Sequence, residues 1–481
     1  MGTEDAVRFQ NEVMNGVYGD NPYGAMFNHR HHYDSALDFS GEQDLLVIAD
    51  GVVLKTDGFL TALNLTGCKN VTVRGLTIDC KRRPYTVGTV CNAGNGFFDI
   101  RFPENANVSP AMPAPRFIIM DTEQEHIRFL LSAAHDSRKE KAAVEKNVIR
   151  FFYQLDPAYV GYPIAVLHTW HGCPSVLIEE SRNVTLENIT VLSHPGMGIV
   201  GHRCENLTLD SVRVIPAEGA FVSTNTDASH FSSCRGSLII RNCTFRGSGD
   251  DCINIHGYYQ TVRERLGETS YRLKVMVRYE THSLHLDHPD AGDIVTYVHA
   301  DDLQPYETYR VLSVEPDQDT FSCTVTLDRP LPEDAAGNLL ACYEQFPRVE
   351  ITGCRFSDHL ARGMLLQTPK GGVVENCEFS HAFENAIHFT ADPGYQESAP
   401  SDNITVRNCH TVRCGIRADN LAPKKERPVH SHITITDNSI DGAVVLSSID
   451  GLTWKNNRTS IPPKITDCVL TDETILSETE Q

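Results

Sequence analysis

Two short stretches of this sequence concentrate groups that can move protons. One runs Ser223-Thr224-Asn225-Thr226-Asp227-Ala228-Ser229-His230-Phe231. The other runs Gly249-Asp250-Asp251-Cys252-Ile253-Asn254-Ile255-His256-Gly257. Paired carboxylates are what cleavage of a glycosidic bond requires. One is protonated and donates to the leaving oxygen, and one is ionised and activates water or attacks the sugar. Crowding like charges raises at least one pKa and supplies the donor near neutral pH. Asp227, Asp250 and Asp251 are therefore the candidate catalytic residues, with Asp250 as general acid and Asp227 with Asp251 holding and deprotonating water. A calcium site or plain turn residues would also use aspartates. Asp227 standing 23 residues before Asp250, with His230 and His256 close by, favours catalysis. His230, Asn254 and His256 read as partners of sugar hydroxyls rather than metal ligands, and no metal or cofactor is expected.

Carboxylates that far apart in sequence meet only if the chain returns at a fixed period. It does. A unit of Asn, apolar, Thr, apolar, any, Asn or Gly, any, any, apolar recurs clearly at Asn70–Ile78, Asn183–Val191 and Asn206–Val214. Weaker copies begin at Ser237, Arg348, Gly371, Asn403, His432 and Gly451. The apolar residues alternate, which is a strand period, and the spacing, mostly about 19–32 residues, is that of a solenoid turn. The expectation is an all-β, right-handed parallel β-helix, each unit offering two short strands and a turn. Stacked turns lie about 4.8 Å apart, so equivalent positions come together on one face. Adjacent side chains on a strand point to opposite faces. Asp250 and Asp251 therefore share a site only if the backbone bends, and Gly247 and Gly249 allow that. Asparagines at one place in successive turns suggest an internal amide ladder at the bends.

The repeat lapses twice while strand alternation persists. The expected division is first turns in 1–80, a β-rich insertion in 81–170, catalytic turns in 171–257, a second β-rich insertion in 258–345, further turns in 346–460, and a polar peripheral tail in 461–481. The formal charge of −21 argues against nucleic acid, an anionic membrane surface and polyanionic substrates. No apolar run reaches the roughly 20 residues of a membrane span. Met1 to Asn15 lacks a basic start and an apolar core, so the sequence as given reads as cytoplasmic; a trimmed export signal would instead make it secreted or periplasmic. Homo-oligomer formation is left open. Cys243, Cys354, Cys377 and Cys409 sit inside repeat units and are expected as stacked buried thiols rather than disulfides or zinc ligands.

The segment Asp227-Ala-Ser-His-Phe-Ser-Ser-Cys-Arg-Gly, followed by Asp250-Asp251-Cys-Ile-Asn-Ile-His-Gly, resembles glycoside hydrolase family 110, the bacterial α-1,3-galactosidases. That family's motifs read close to D-A-T-H-F-S-G-C-x-G and D-D-A-I-N-V-H-G. Thr368-Pro369-Lys370 is similar to its T-P-R, and Gly394-Tyr395-Gln396-Glu397 stands where its late aromatic loop carries a Glu. The resemblance spans roughly residues 25–460. It implies a β-helix, an inverting mechanism, no metal, and an exo-acting enzyme that removes terminal α-linked galactose from glycans. Lys370, Tyr395 and Glu397 are then expected to approach the sugar from later turns, with Tyr395 stacking on its apolar face. Three alternatives remain. A polygalacturonase-like enzyme shares Asn225-Thr226-Asp227 and Asp250-Asp251-Cys252 but needs an Arg-x-Lys for its uronate. A lyase or epimerase would abstract a proton with a basic residue. A glycan-binding solenoid would bind without turnover.

Overall fold

The unit Asn70-Val71-Thr72-Val73 forms the strand Lys69–Arg74, and Thr77-Ile78 begins the strand Thr77–Cys80. A third strand, Thr61–Thr66, precedes them and pairs in parallel with Val176–Glu179 of the next solenoid turn. Each turn thus gives one strand to each of three parallel sheets, rather than the two strands that the repeat suggested. The third strand escaped notice because its outward residues differ from turn to turn. The result, described in this computed structural model for residues 35–57, 60–123, 126–134, 140–169, 172–275, 287–317, 322–472 and 474, is an all-β, right-handed parallel β-helix. Met1 to Asn15 lies outside the described residues. Among the described residues no helix is long and apolar enough to cross a membrane.

The solenoid interior is one continuous apolar cluster from Ala62 and Leu63 to Leu452 and Trp454. Within it Phe245, Phe356 and Phe379 stack on consecutive turns, with ring centroids 5.5 and 4.6 Å apart. Cys243, Cys354, Cys377 and Cys409 each precede in-register strand residues and are free, buried thiols. The asparagine ladder exists but runs along the outside. Asn183 Nδ2 donates to Asn70 Oδ1 (2.8 Å) and Asn206 Nδ2 to Asn183 Oδ1 (3.0 Å), all three at left-handed φ near 55–60°. Asn adopts that region cheaply, so the ladder marks a bend and not the core. Within the segment expected as a peripheral tail, described residues up to Leu470 form two short strands. Lys464–Thr466 pairs with Val445–Ser447, and Val469–Leu470 with Ile449–Lys455, adding a last partial turn.

Two β-rich insertions interrupt the solenoid. The first is an open, antiparallel seven-stranded sheet built from strands between Tyr85 and Leu167. One of its faces packs on Phe221, Val222 and Leu360, beside the turns that carry Asp227 and the Asp250-Asp251 pair. The second grows directly out of the solenoid strand Ile253–Arg265. That strand pairs with Ser270–Lys274, which pairs with Ser322–Leu327, then Pro305–Asp317, Ile294–Val298 and Leu339–Ala341, which returns to it. Six antiparallel strands therefore close a small barrel around Tyr271, Tyr297, Tyr309 and their neighbours.

Candidate active site

Ser229–Ser232 and Ile253–Arg265 are neighbouring strands of the first sheet, with Ser229 opposite Ile253 and His230 opposite Asn254. Phe231, Ile253 and Ile255 point into the core, so His230 and Asn254 point out. Just before these strands the backbone bends. Ala228 N donates to Asp251 O, which makes Asp251 the register partner of Asp227; Asp250 sits one place off that column. One turn here is 24 residues, not 23. The bend depends on Gly249, where a Cβ would lie 2.4 Å from Asn225 O. As a result, carboxylate oxygens of Asp227, Asp250 and Asp251 all lie within 4.8 Å of one another.

The three carboxylates differ in surroundings. Asp251 is buried. Arg362 grips both its oxygens, Nε to Oδ1 at 2.8 Å and Nη2 to Oδ2 at 2.7 Å, and adds its own backbone N–H to Oδ1 at 2.8 Å. Burial raises the Asp251 pKa, and Arg362 works against the rise. Asp227 is also buried, and its carboxyl is pushed well above the usual range by burial and by the charges of Asp251 and Asp250. Its Oδ1 accepts from Asp251 N at 3.2 Å. Asp250 is the accessible member, its side chain 30% exposed, and Arg116 of the first insertion lies 3.6 Å away.

A chain of hydrogen bonds indicates where a proton rests. His256 Nδ1 is 2.8 Å from Gly257 O, a carbonyl that can only accept, so this nitrogen donates. A neutral His256 then accepts at Nε2. The partner 2.9 Å away is His230 Nε2, which must donate, leaving His230 Nδ1 to accept. Facing that atom at 2.8 Å is Asp227 Oδ2. A neutral His230 places the proton of this pair on the Asp227 carboxyl, and a charged His230 keeps it on the imidazole; the raised pKa of Asp227, from burial and the charges of Asp251 and Asp250, favours the carboxyl.

Sequence reasoning missed Arg362 and Arg116. Arg362 stands one turn beyond Asp251, but the barrel inserts between them and sets them 111 residues apart. Arg116 arrives from a strand with no repeat signal. Asn225 ties that insertion to the site, its Nδ2 donating to Thr169 O at 2.9 Å. Of the expected later contacts, Glu397 pairs with Tyr258 on the strand that carries Asn254 and His256. Tyr395 is 70% exposed in the preceding turn, which Asp392 Oδ1 pins by accepting from Gly394 N. Lys370 is exposed and is not brought to the carboxylates: it follows the far end of the strand Met364–Leu366, which Arg362 precedes.

Among the described residues, two groups have the donor types of a metal site: the three aspartates, and His126, Asp358 and His381. In the first, Arg362 already spans both oxygens of Asp251, and a cation would compete with it and with Arg116. In the second, Arg246 Nε donates to Asp358 at 2.9 Å and Ile127 N approaches at 3.3 Å. Neither donor set is spare.

Comparison with known proteins places the chain among β-helix glycosidases. The family model for glycosyl hydrolases family 28 matches residues 172–267, which include all three aspartates, and that for a right handed beta helix region matches residues 322–459. α-1,3-Galactosidase A of Bacteroides fragilis is 26% identical over 448 residues, 86% of this chain and 73% of that protein. α-1,3-Galactosidase B of Bacteroides thetaiotaomicron is 24% identical over 455 residues, again 86% and 73%. The chain is a β-helix relative of the bacterial α-1,3-galactosidases. Among solved structures, a polygalacturonase from Erwinia carotovora is 13% identical, with 93% of this chain and 87% of that one covered at a TM-score of 0.41.

Proposed function

We propose that this protein is an exo-acting glycosidase that removes terminal α-linked galactose with inversion. The observation that carries the reading is the cluster of three carboxylates within 4.8 Å, two of them buried and one accessible. The names of its relatives supply the sugar. The cluster works as a unit that holds one proton. In the resting tautomer the proton is on Asp227. In the reactive tautomer it is on Asp250, the only one of the three exposed enough to meet a leaving oxygen. Asp250 then protonates that oxygen while the Asp227 carboxylate takes a proton from the attacking water. Hydrolysis leaves Asp250 ionised and Asp227 protonated, which is the resting tautomer again.

Separation alone would suit retention, since carboxyls about 5 Å apart favour a covalent intermediate and wider ones leave room for water. Occupancy argues otherwise. Both Asp251 oxygens are bound by Arg362, and both Asp227 oxygens are engaged. Reaching the anomeric carbon would require either group to turn out of these hydrogen bonds, whereas a small water molecule can approach a remaining lone pair with the bonds kept. The charge pattern also favours a neutral sugar over a uronate. Arg362, Arg116 and Arg417 each already face a carboxylate: Asp251, Asp250 and Asp419.

The test is a screen of aryl α- and β-glycosides and terminal α-galactosyl oligosaccharides, with proton NMR of the first-formed anomer. β-Galactose released first from an α-galactoside supports the reading. α-Galactose first overturns inversion, and an unsaturated, ultraviolet-absorbing product overturns hydrolysis.

A further inference from the structure

The outward face that carries His230 and Asn254 continues past the carboxylates. In register with Asn254 come Leu365, His388 and Arg417 on the next three turns. Two residues further along the strands stand Gln367, Thr390 and Asp419. Their immediate neighbours Leu366, Phe389 and Ala418 point into the core, so this second row faces outward too. The face is roofed: Tyr259, Ala391 and Ala422 pack together with Val298, Leu339 and Ala341 of the barrel.

A roofed outward face should be finished with apolar side chains or with paired polar ones, because buried polar groups nearly always have partners. Here they do not. Asn254, Gln367, His388 and Asn420 are all at least nine-tenths buried. Yet Asn254 Oδ1, both amide atoms of Gln367, His388 Nδ1 and Asn420 Nδ2 have no hydrogen-bond partner among the described residues. Beside them, Asp419 is held as a carboxylate. His388 Nε2 lies 3.2 Å from its Oδ1, and Arg417 Nε donates to its Oδ2 at 2.7 Å. Although burial opposes it, these contacts hold Asp419 well below the usual carboxylate range. Side-chain exposures of 11% for His388 and 13% for Asp419 leave narrow access from outside.

We infer that His388, Asp419 and Arg417, with Asn254 on the catalytic turn, form a subsite for one neutral hexose, whose hydroxyls complete the buried polar groups. The donors and acceptors are mixed and the charges are balanced within the group, which suits hydroxyls and not an anion. His388 lies two turns, roughly 10 Å, beyond Asn254. The barrel root and the Ala391 and Ala422 segments roof the face at this end, so the ring held here is the terminal one.

This assignment rests on the glycosidase reading, and the experiment separates the two. Steady-state kinetics on galactosyl-α-1,3-galactose are compared for wild type, His388→Leu and Asp419→Asn. Calorimetry with methyl α-galactopyranoside is run on Asp250→Asn with and without His388→Leu. The expected result is a rise in KM and in the calorimetric Kd of about tenfold for His388→Leu. Its kcat should fall less than its KM rises, and circular dichroism should show that the fold is kept. Turnover by wild type with KM and Kd unmoved in His388→Leu overturns the subsite and leaves the catalytic reading standing. Binding lost in His388→Leu, with no turnover of any glycoside by wild type, overturns the catalytic reading and supports the subsite. Failure of Asp250→Asn to bind methyl α-galactopyranoside overturns the subsite.

Discussion

Two neighbouring sheets of the same solenoid use their outward faces in opposite ways. In the sheet containing Lys69–Arg74, Arg182–Glu187 and Glu205–Asp210, Thr72, Thr185 and Thr208 stack in register, and the asparagine ladder flanks them. In the sheet containing Ile199–His202, Ser229–Ser232 and Ile253–Arg265, the corresponding row reads Val200, His230, Asn254, Leu365, His388, Arg417. Both present matching apolar residues to one interior. The first keeps turns in register by repetition, which leaves the second free to vary its outward residues and carry chemistry. The proposed site therefore sits where the repeat is weakest.

That division can be broken or sharpened by experiment. The largest effect is expected from Asp250→Asn. Turnover should fall by about 10²–10⁴-fold, the usual yield of a general acid, while the melting temperature stays within a few degrees. Near-wild-type turnover on a substrate with a poor leaving group would remove Asp250 from its role. The reverse pattern is expected from Phe356→Ala, which empties the middle of a three-ring stack. It should cost about 3–5 kcal/mol by denaturant unfolding, with kcat/KM retained below the new melting point. A proportional loss of activity would show that the interior and the site are not separable.

Asp227→Asn tests both sides through pH. A carboxyl raised in the folded state binds more protons folded than unfolded, so its contribution is fully present below its unfolded pKa of about 4 and is lost as pH rises through the folded value. Asparagine has no such loss. The melting temperature of Asp227→Asn minus that of wild type should therefore grow as pH is raised above about 4, and a flat difference would deny the raised pKa. Wild-type kcat/KM should fall on the alkaline side as the cluster loses its proton. The smallest effect belongs to Asn183→Ala in the exposed ladder, about 1–3 kcal/mol for two neutral hydrogen bonds, with no change in activity.

The legible part of the molecule follows from the same contrast. Asn70, Asn183 and Asn206 announce the turns because bends need a cheap left-handed residue at one place each time. Asp227 and the Asp250-Asp251 pair were legible because three carboxylates at turn spacing are costly without a use. The third strand of each turn was not, since its inward residues are few and its outward ones follow the substrate. Arg362 was hidden by sequence distance, which says nothing about register once a barrel is inserted. Alternation in the second insertion announced strands but not their closure, because pairing partners are chosen in space. The exposure of Lys370 likewise depends on which end of a strand faces the site, and spacing alone does not show it.

The closed barrel bears on how the chain comes to be folded. Asn254 must find Leu365 across 111 residues, a separation that slows folding when it is spanned by a flexible loop. The barrel shortens that search. Tyr259 pairs with Ala341 where the chain leaves and re-enters, so once the barrel has folded on its own local contacts its two ends lie side by side. To the growing solenoid, the intervening residues then act as a tight turn. Nucleation in the barrel, ahead of the later turns, is the order that this closure favours.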